Sequence, residues 1–314
     1  MTRFVGATRL HRLGGTPLRK TSSLTAINIP FRRIAIVGTG LIGGSWGLAL
    51  KAVGYQGVRI GIDRRSILRR ALQRGAIDEG HENLEAAVPG TDLIILAAPV
   101  GRISLLIPWF ARQAQPSALV TDVGSVKSDI CRRAKESFNS GALFLGGHPL
   151  AGKEISGIDA ADAALFAQSS YALTPLKPAD MEDARATAFC ELIQRIGARP
   201  HVTTAEVHDR VVAYTSHLPQ LLSTGLASLL SELKETRSMG SGGLAGPGLL
   251  DFTRLADSPY SLWRDILLTN RGNIQNAIDT FIQKLEEMKL RLSERAIEQD
   301  FKRAAHLRNR LKKR

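Results

Sequence analysis

Cysteine is nearly absent from this chain: its 314 residues include two, Cys131 and Cys190. Two cannot build a disulfide framework, and neither sits in a C-x-x-C pair or has histidine at metal-ligand spacing. Both read as reduced packing residues of a cytoplasmic protein, and no metal is expected. Long apolar runs are lacking too. The longest, Leu93 to Val100, falls far short of the roughly 20 residues that span a bilayer, so neither a transmembrane helix nor a membrane partner is expected. Acidic residues are missing from both ends, since none precedes Asp63 and none lies within 301–314. Those ends carry the net charge of +13. Residues 1–33 and 301–314 hold seven Lys/Arg each, leaving 28 basic against 29 acidic residues for the rest. A near-neutral body argues against nucleic acid as a partner, and like-charge runs at chain ends are ordinarily solvated.

What is present is a globular composition, 44% hydrophobic and 23% charged, in a chain long enough for two cores. Residues 1–31 share the Arg/Ser/Thr-rich, acid-free make-up of organellar transit peptides but show no amphipathic stripe, and are read as a disordered leader outside the fold. Residues 32–178 alternate short continuous apolar runs with longer amphipathic ones, the pattern of βαβ units around a parallel sheet covered on both faces. Strands are predicted at 34–37, 58–62, 93–97, 119–121 and 143–145, with helices at 41–52, 66–74, 103–114 and 126–138. From 179 to 300 the pattern is almost wholly helical: a helix over 181–197, a short strand at 199–202, and a long helix over 205–233 kinked by Pro219. A glycine-rich loop at 236–247 follows, then one long amphipathic helix over 261–292 whose Leu267, Ile274, Ile278, Phe281, Leu285 and Met288 form a core or dimer stripe. Residues 301–314 close the chain as a basic tail. The expected fold is α/β, a doubly wound Rossmann-type sheet followed by an all-α dimerisation domain.

The strand at 34–37 runs into Gly38-Thr39-Gly40-Leu41-Ile42-Gly43 and then a helix, and Asp63 ends the next strand 20 residues after Gly43. This is the setting a dinucleotide needs. Gly38 permits the tight turn, Gly40 admits the pyrophosphate to the backbone, and Gly43 lets the helix pack against the strand. The free amides of the helix start, at Leu41 and Ile42, face the phosphates. Ala98 and Pro99, just past another strand, belong to the same crevice. Asp63 is suited to accept the ribose hydroxyls, favouring NAD, while Arg64 and Arg65 keep NADP open.

A cofactor does not name a reaction. Ligands lie at the carboxyl ends of such strands, and two ends carry polar groups: Asp122-Val123-Gly124-Ser125-Val126-Lys127, and Gly146-Gly147-His148-Pro149. Histidine is the usual acid/base residue near neutral pH. The plainer alternatives are that Ser125 caps the following helix and His148 is a strand-end residue with a satisfied hydrogen bond.

The strings GTGLIGGS, DVGSVK, GGHPLAGKEISG, SHLP at Ser216 to Pro219 and DFTR at Asp251 to Arg254 together resemble the prephenate/arogenate dehydrogenase family, in that family's order, over about residues 32–292. The resemblance implies oxidative decarboxylation of prephenate or arogenate on the route to tyrosine, with NAD or NADP, in a homodimer held by the helical domain. It implies His148 and Ser125 as catalytic groups, with Ser125 also beside the cofactor. His217, Gly152 and Glu154 are implied at the substrate, and Arg254 on a substrate carboxylate. The alternatives are an ion pair of Arg254 with Asp251 or Asp257, and His217 as a helix residue before a kink. Two departures touch the side-chain end of the substrate. Leu250 stands where some prephenate-specific relatives have lysine, and Gln220 follows SHLP where many members have a second histidine. They leave prephenate and arogenate both open. A β-hydroxyacid dehydrogenase is the competing enzyme class, but it would place a lysine on the interdomain helix, and 205–233 contains none.

Overall fold

The computed structural model describes residues 29–139, 141–233 and 245–312. Eight strands, β1 (Arg33–Val37), β2 (Val58–Ile62), β3 (Glu79–His81), β4 (Leu93–Leu96), β5 (Leu119–Asp122), β6 (Leu143–Pro149), β7 (Ser170–Pro175) and β8 (Arg199–Val202), form one sheet in the order β3-β2-β1-β4-β5-β6-β7-β8. The first six are parallel, β7 turns antiparallel to β6, and β8 runs parallel to β7. Successive residues of a strand point to opposite faces. On β4, Leu93 and Ile95 enter the core that contains Trp46, Phe166, Tyr171 and Phe189, while Ile94 and Leu96 enter the core that contains Ile103, Ile107, Phe110 and Ile130. All four are fully buried, which is why the run carries no polar alternation.

Helices α1 (Leu41–Ala52), α2 (Arg65–Gln73), α3 (Leu84–Ala87), α4 (Val100–Gln113), α5 (Ser128–Ser137) and α6 (Ala184–Arg195) belong to the sheet half. Because Phe189, Leu192 and Ile193 of α6 lie in the same core as β1 and β4, and β8 hydrogen-bonds to β7, the sheet half extends to Val202 rather than ending at 178. The edge strand β3 and the antiparallel β7 are absent from the strands expected of the sequence. The expected leader is also too long at its inner end: Phe31 is buried, and its carbonyl accepts a hydrogen bond from the Tyr55 hydroxyl at 2.8 Å.

The helical half comprises α7 (Ala205–Val212), a π-helical turn (Ala213–His217), α8 (Leu218–Glu232), α9 (Pro247–Thr253), α10 (Tyr260–Thr269), α11 (Arg271–Leu290) and α12 (Glu298–Lys312). The kink expected at Pro219 takes the form of that π turn, one residue wider than an α turn, immediately before a residue with no N–H to donate. The single helix expected over 261–292 is broken at Asn270, whose backbone leaves helical geometry (φ −109°, ψ 20°). The basic end is not a structureless tail but α12, with Lys284 and Arg303 both bonded to Asp300 near its start. Most of the expected loop at 236–247 lies outside the described residues. Among those described, no helix is long and apolar enough to cross a membrane.

Candidate active site

The glycine loop is shaped by its own backbone. Gly38 sits at φ +95°, a left-handed conformation that side chains resist, and its N–H donates to Ile62 at 2.8 Å. A Cβ on Gly43 would collide with the Gly38 carbonyl, whereas one on Gly40 would meet nothing within 4 Å. The protein therefore leaves open the space above Gly40, at the uncapped start of α1. That opening belongs to a pocket of about 390 Å³ lined by Gly40, Leu41, Ile42, Ala98, Pro99 and Ser125, with Lys153 to Gly157 on a further side. A bare loop, free helix amides and a cleft at the strand ends fit a dinucleotide. Asp63 stands at the mouth of β2, where one carboxylate oxygen accepts from the Thr39 amide at 2.8 Å and the other from the Arg64 amide at 2.7 Å. Asp63 thus holds the loop as well as facing outward from it.

Asp122, fully buried at the end of β5, aligns the two polar strand ends. Its carboxylate accepts from the Gly124 amide at 2.8 Å and the Gly147 amide at 3.1 Å, and pairs with the buried ammonium of Lys127. The loop bearing Ser125 and the strand bearing His148 are thereby fixed to one carboxylate.

His148 is buried, and its Nδ1 lies 2.9 Å from Nε2 of His208 on α7. His208 Nδ1 lies in turn 2.8 Å from Asp209 Oδ1. The carboxylate also accepts the Lys127 and Ser128 amides at 2.7 and 2.8 Å. Burial opposes the charge of Asp209, but the hydrogen bonds from His208, Ser128 and Lys127 outweigh it and hold the carboxyl below its ordinary range. An ionised Asp209 only accepts, so His208 donates from Nδ1 and accepts at Nε2. His148 must then donate from Nδ1, which leaves its Nε2 as a free lone pair. Burial, then the nearby His208, Lys127 and His217, push its pKa well below 6.5.

His217, the last residue of the π turn, is buried; burial lowers its pKa to about 4, with Asp209 opposing and His208 assisting. Its ring meets Trp263 edge to face at 5.9 Å, and both His217 Nε2 and Trp263 Nε1 are buried without a protein partner. Arg254 pairs with neither Asp251 nor Asp257 but with Glu154, joining the helical half to the loop after β6. Gly152, on that same loop, has open space around its Cα. The structure thus brings His148 and His217 close together and puts Ser125 on the neighbouring strand end, while Arg254 and Glu154 face each other at the rim. His208, Asp209 and Asn270 are not among the residues singled out from the sequence. A signal existed for two of them, because Ala205, His208, Asp209 and Val212 share the buried face of α7.

Residues 46–202 match the model of the prephenate dehydrogenase nucleotide-binding domain, and residues 204–308 that of the prephenate dehydrogenase dimerization domain. The chain belongs to the prephenate dehydrogenase family. A prephenate dehydrogenase of Lactococcus lactis is 32% identical over 88% of this chain and 77% of its own length. A cyclohexadienyl dehydrogenase of Zymomonas mobilis is 31% identical over 82% of this chain and 88% of its own. Among solved structures, the prephenate dehydrogenase of A. aeolicus, in complex with hydroxyphenyl propionate and NAD+, is 29% identical at a TM-score of 0.79, covering 89% of this chain and 98% of that one. The arogenate dehydrogenase of Synechocystis is 26% identical at a TM-score of 0.72, covering 90% and 99%.

Proposed function

We propose that the protein oxidises and decarboxylates a cyclohexadienyl acid, prephenate or arogenate, with NAD, using His148 as the proton acceptor. The observation that carries the reading is the chain Asp209–His208–His148, which leaves a neutral imidazole with a bare Nε2 beside the cofactor cleft. NAD, held by the Gly38–Gly43 loop and the α1 amides, accepts the hydride from the ring carbon that bears the hydroxyl. As that C–H bond breaks, the hydroxyl oxygen moves toward a carbonyl and its proton goes to His148 Nε2. The ring carboxylate leaves as CO2, and the electrons of its C–C bond make the ring aromatic. Ser125, on the adjoining strand end, orients the hydroxyl toward the cofactor. Arg254 offers a planar fork to a substrate carboxylate in exchange for Glu154.

The same reading includes a homodimer through the helical half. Its own buried core is small, centred on Ala213, Leu218, Ile274 and Ala277, while Leu229, Phe252, Leu268, Leu285, Phe301 and Leu307 are exposed. Apolar area on that scale calls for a partner surface. The deciding experiment follows NAD reduction spectrophotometrically with prephenate and with arogenate. Turnover of at least one is expected, and none with either overturns the proposal.

A further inference from the structure

Asn270 is the buried residue at which α10 gives way to α11, and its side chain makes three hydrogen bonds. Nδ2 lies 2.9 Å from the Asp209 carbonyl oxygen and 3.2 Å from His217 Nδ1, while Oδ1 accepts from Asn273 Nδ2 at 2.8 Å. A carbonyl oxygen can only accept, so the end of the Asn270 amide facing Asp209 is the NH2 end. One of its two hydrogens goes to that carbonyl and the other points at His217 Nδ1, which must supply a lone pair. Neutral His217 then carries its single proton on Nε2, the buried atom that finds no partner within the protein.

We infer that Asn270 is a positioning residue that fixes His217 as an Nε2–H donor toward the substrate. The inference rests on the proposed active site. It assigns the two pocket histidines opposite tautomers, both fixed through Asp209. Its carboxylate, through His208, makes His148 an acceptor; its main-chain carbonyl, through Asn270, makes His217 a donor. A site arranged in this way meets a substrate hydroxyl with a proton acceptor and a substrate oxygen, carboxylate or carbonyl, with a proton donor. It also explains why the helix breaks where it does. An uninterrupted helix over 261–292 would need Asn270 in regular geometry, whereas the break lets its amide span α7 and the π turn.

The tautomer can be read without turnover. In full-length protein labelled with 15N-histidine, long-range 1H–15N correlation separates the protonated ring nitrogen from the bare one, and the His217 signals are identified by their loss in His217→Gln. The wild type is expected to carry the proton on Nε2. Asn270→Asp keeps the shape but replaces the donor with an acceptor, so the proton should move to Nδ1 or both nitrogens should be protonated. In kinetics with NAD, the same variant should raise substrate KM about tenfold, the scale of one hydrogen bond to a charged group, with a smaller change in kcat. A wild-type proton on Nδ1, or an Asn270→Asp spectrum unchanged from wild type, overturns the inference. If Asn270→Asp does not fold, Asn270→Ala serves, with exchange between two tautomers expected, and the wild-type spectrum decides by itself. Failure to turn over prephenate or arogenate would count against the proposed reaction and leave this measurement intact.

Discussion

A histidine that must accept a proton at neutral pH works best when it is uncharged beforehand, and His148 is kept so by burial and cationic neighbours rather than by any one bond. Replacing it with asparagine retains a polar side chain but removes the basic lone pair. We expect His148→Asn to lower kcat by a hundredfold or more, roughly the share a general base supplies, with KM nearly unchanged. A steady-state titration in prephenate checks this, and a loss confined to KM would argue against proton transfer at His148. Asp63 combines two duties, since its carboxylate also ties down Thr39 and Arg64. Asp63→Ser should therefore weaken NAD through both the ribose and the loop. Because Arg65, Ser66 and Arg69 line a cavity of about 780 Å³ just beyond, NADP should suffer less. The ratio of kcat/KM for the two cofactors, measured in wild type and variant, should shift toward NADP; an unchanged ratio would mean that Asp63 takes no part in cofactor choice.

Among the elements, α7 links the two halves. Asp209 bonds the amides of Lys127 and Ser128 at the start of α5, its carbonyl receives Asn270, and its neighbour His208 supports His148. Asp209→Ala strands two buried amides and removes the partner of His208, so a loss of about 3 kcal/mol in unfolding free energy is expected, together with a fall in kcat. Urea denaturation reads the first effect and kinetics the second, and a fully stable variant would show that the α5 contact is dispensable. Legibility from sequence follows the same division. The loop from Gly38 to Asp63 could be read because its constraints are local: a positive φ, a close approach and a strand end. His148 and Ser125 stood out as polar groups at strand ends. Asn270 did not, because its role depends on which helix lies across from it, and residue periodicity treats it as one more position in a long helix. Strand β3 is three residues, Glu-Gly-His, with no apolar alternation, so only pairing with β2 defines it.

Across the whole molecule, the Glu154–Arg254 pair is a bridge between the halves at the cleft rim, with Arg254 58% exposed in its side chain. Arg254→Ala should raise substrate KM roughly tenfold, the loss of one charge-assisted bond, with little effect on stability at such an exposed site. Equal KM in variant and wild type would make Arg254 a purely structural tie. The buried imidazoles also set an acid limit for the fold. His217 titrates at about 4 in the folded protein against 6.5 when exposed, so the unfolded chain binds the extra proton first. The stability this contributes is complete above pH 6.5 and is lost as pH falls toward 4, by roughly 3 kcal/mol in total. Denaturation midpoints between pH 7 and pH 5 should drop accordingly, and His217→Gln should flatten the slope; a slope unaffected by that change would place the acid sensitivity elsewhere.

The π turn at Ala213–His217 has a geometric consequence for how the chain tolerates change. An extra residue in a helix advances everything after it by about 100° around the axis. The turn therefore acts as a phase offset between α7, which is registered against the sheet, and α8, which is registered against the helices beyond it. Deleting one residue anywhere within it would spare every strand and every apolar stripe, and each half would still satisfy its own pattern. Yet the second half would be rotated by that angle relative to the first, so that Asn270 and Trp263 no longer met His217. Length in this short segment is constrained more tightly than composition, because a substitution changes one side chain whereas an insertion or deletion turns an entire half of the molecule.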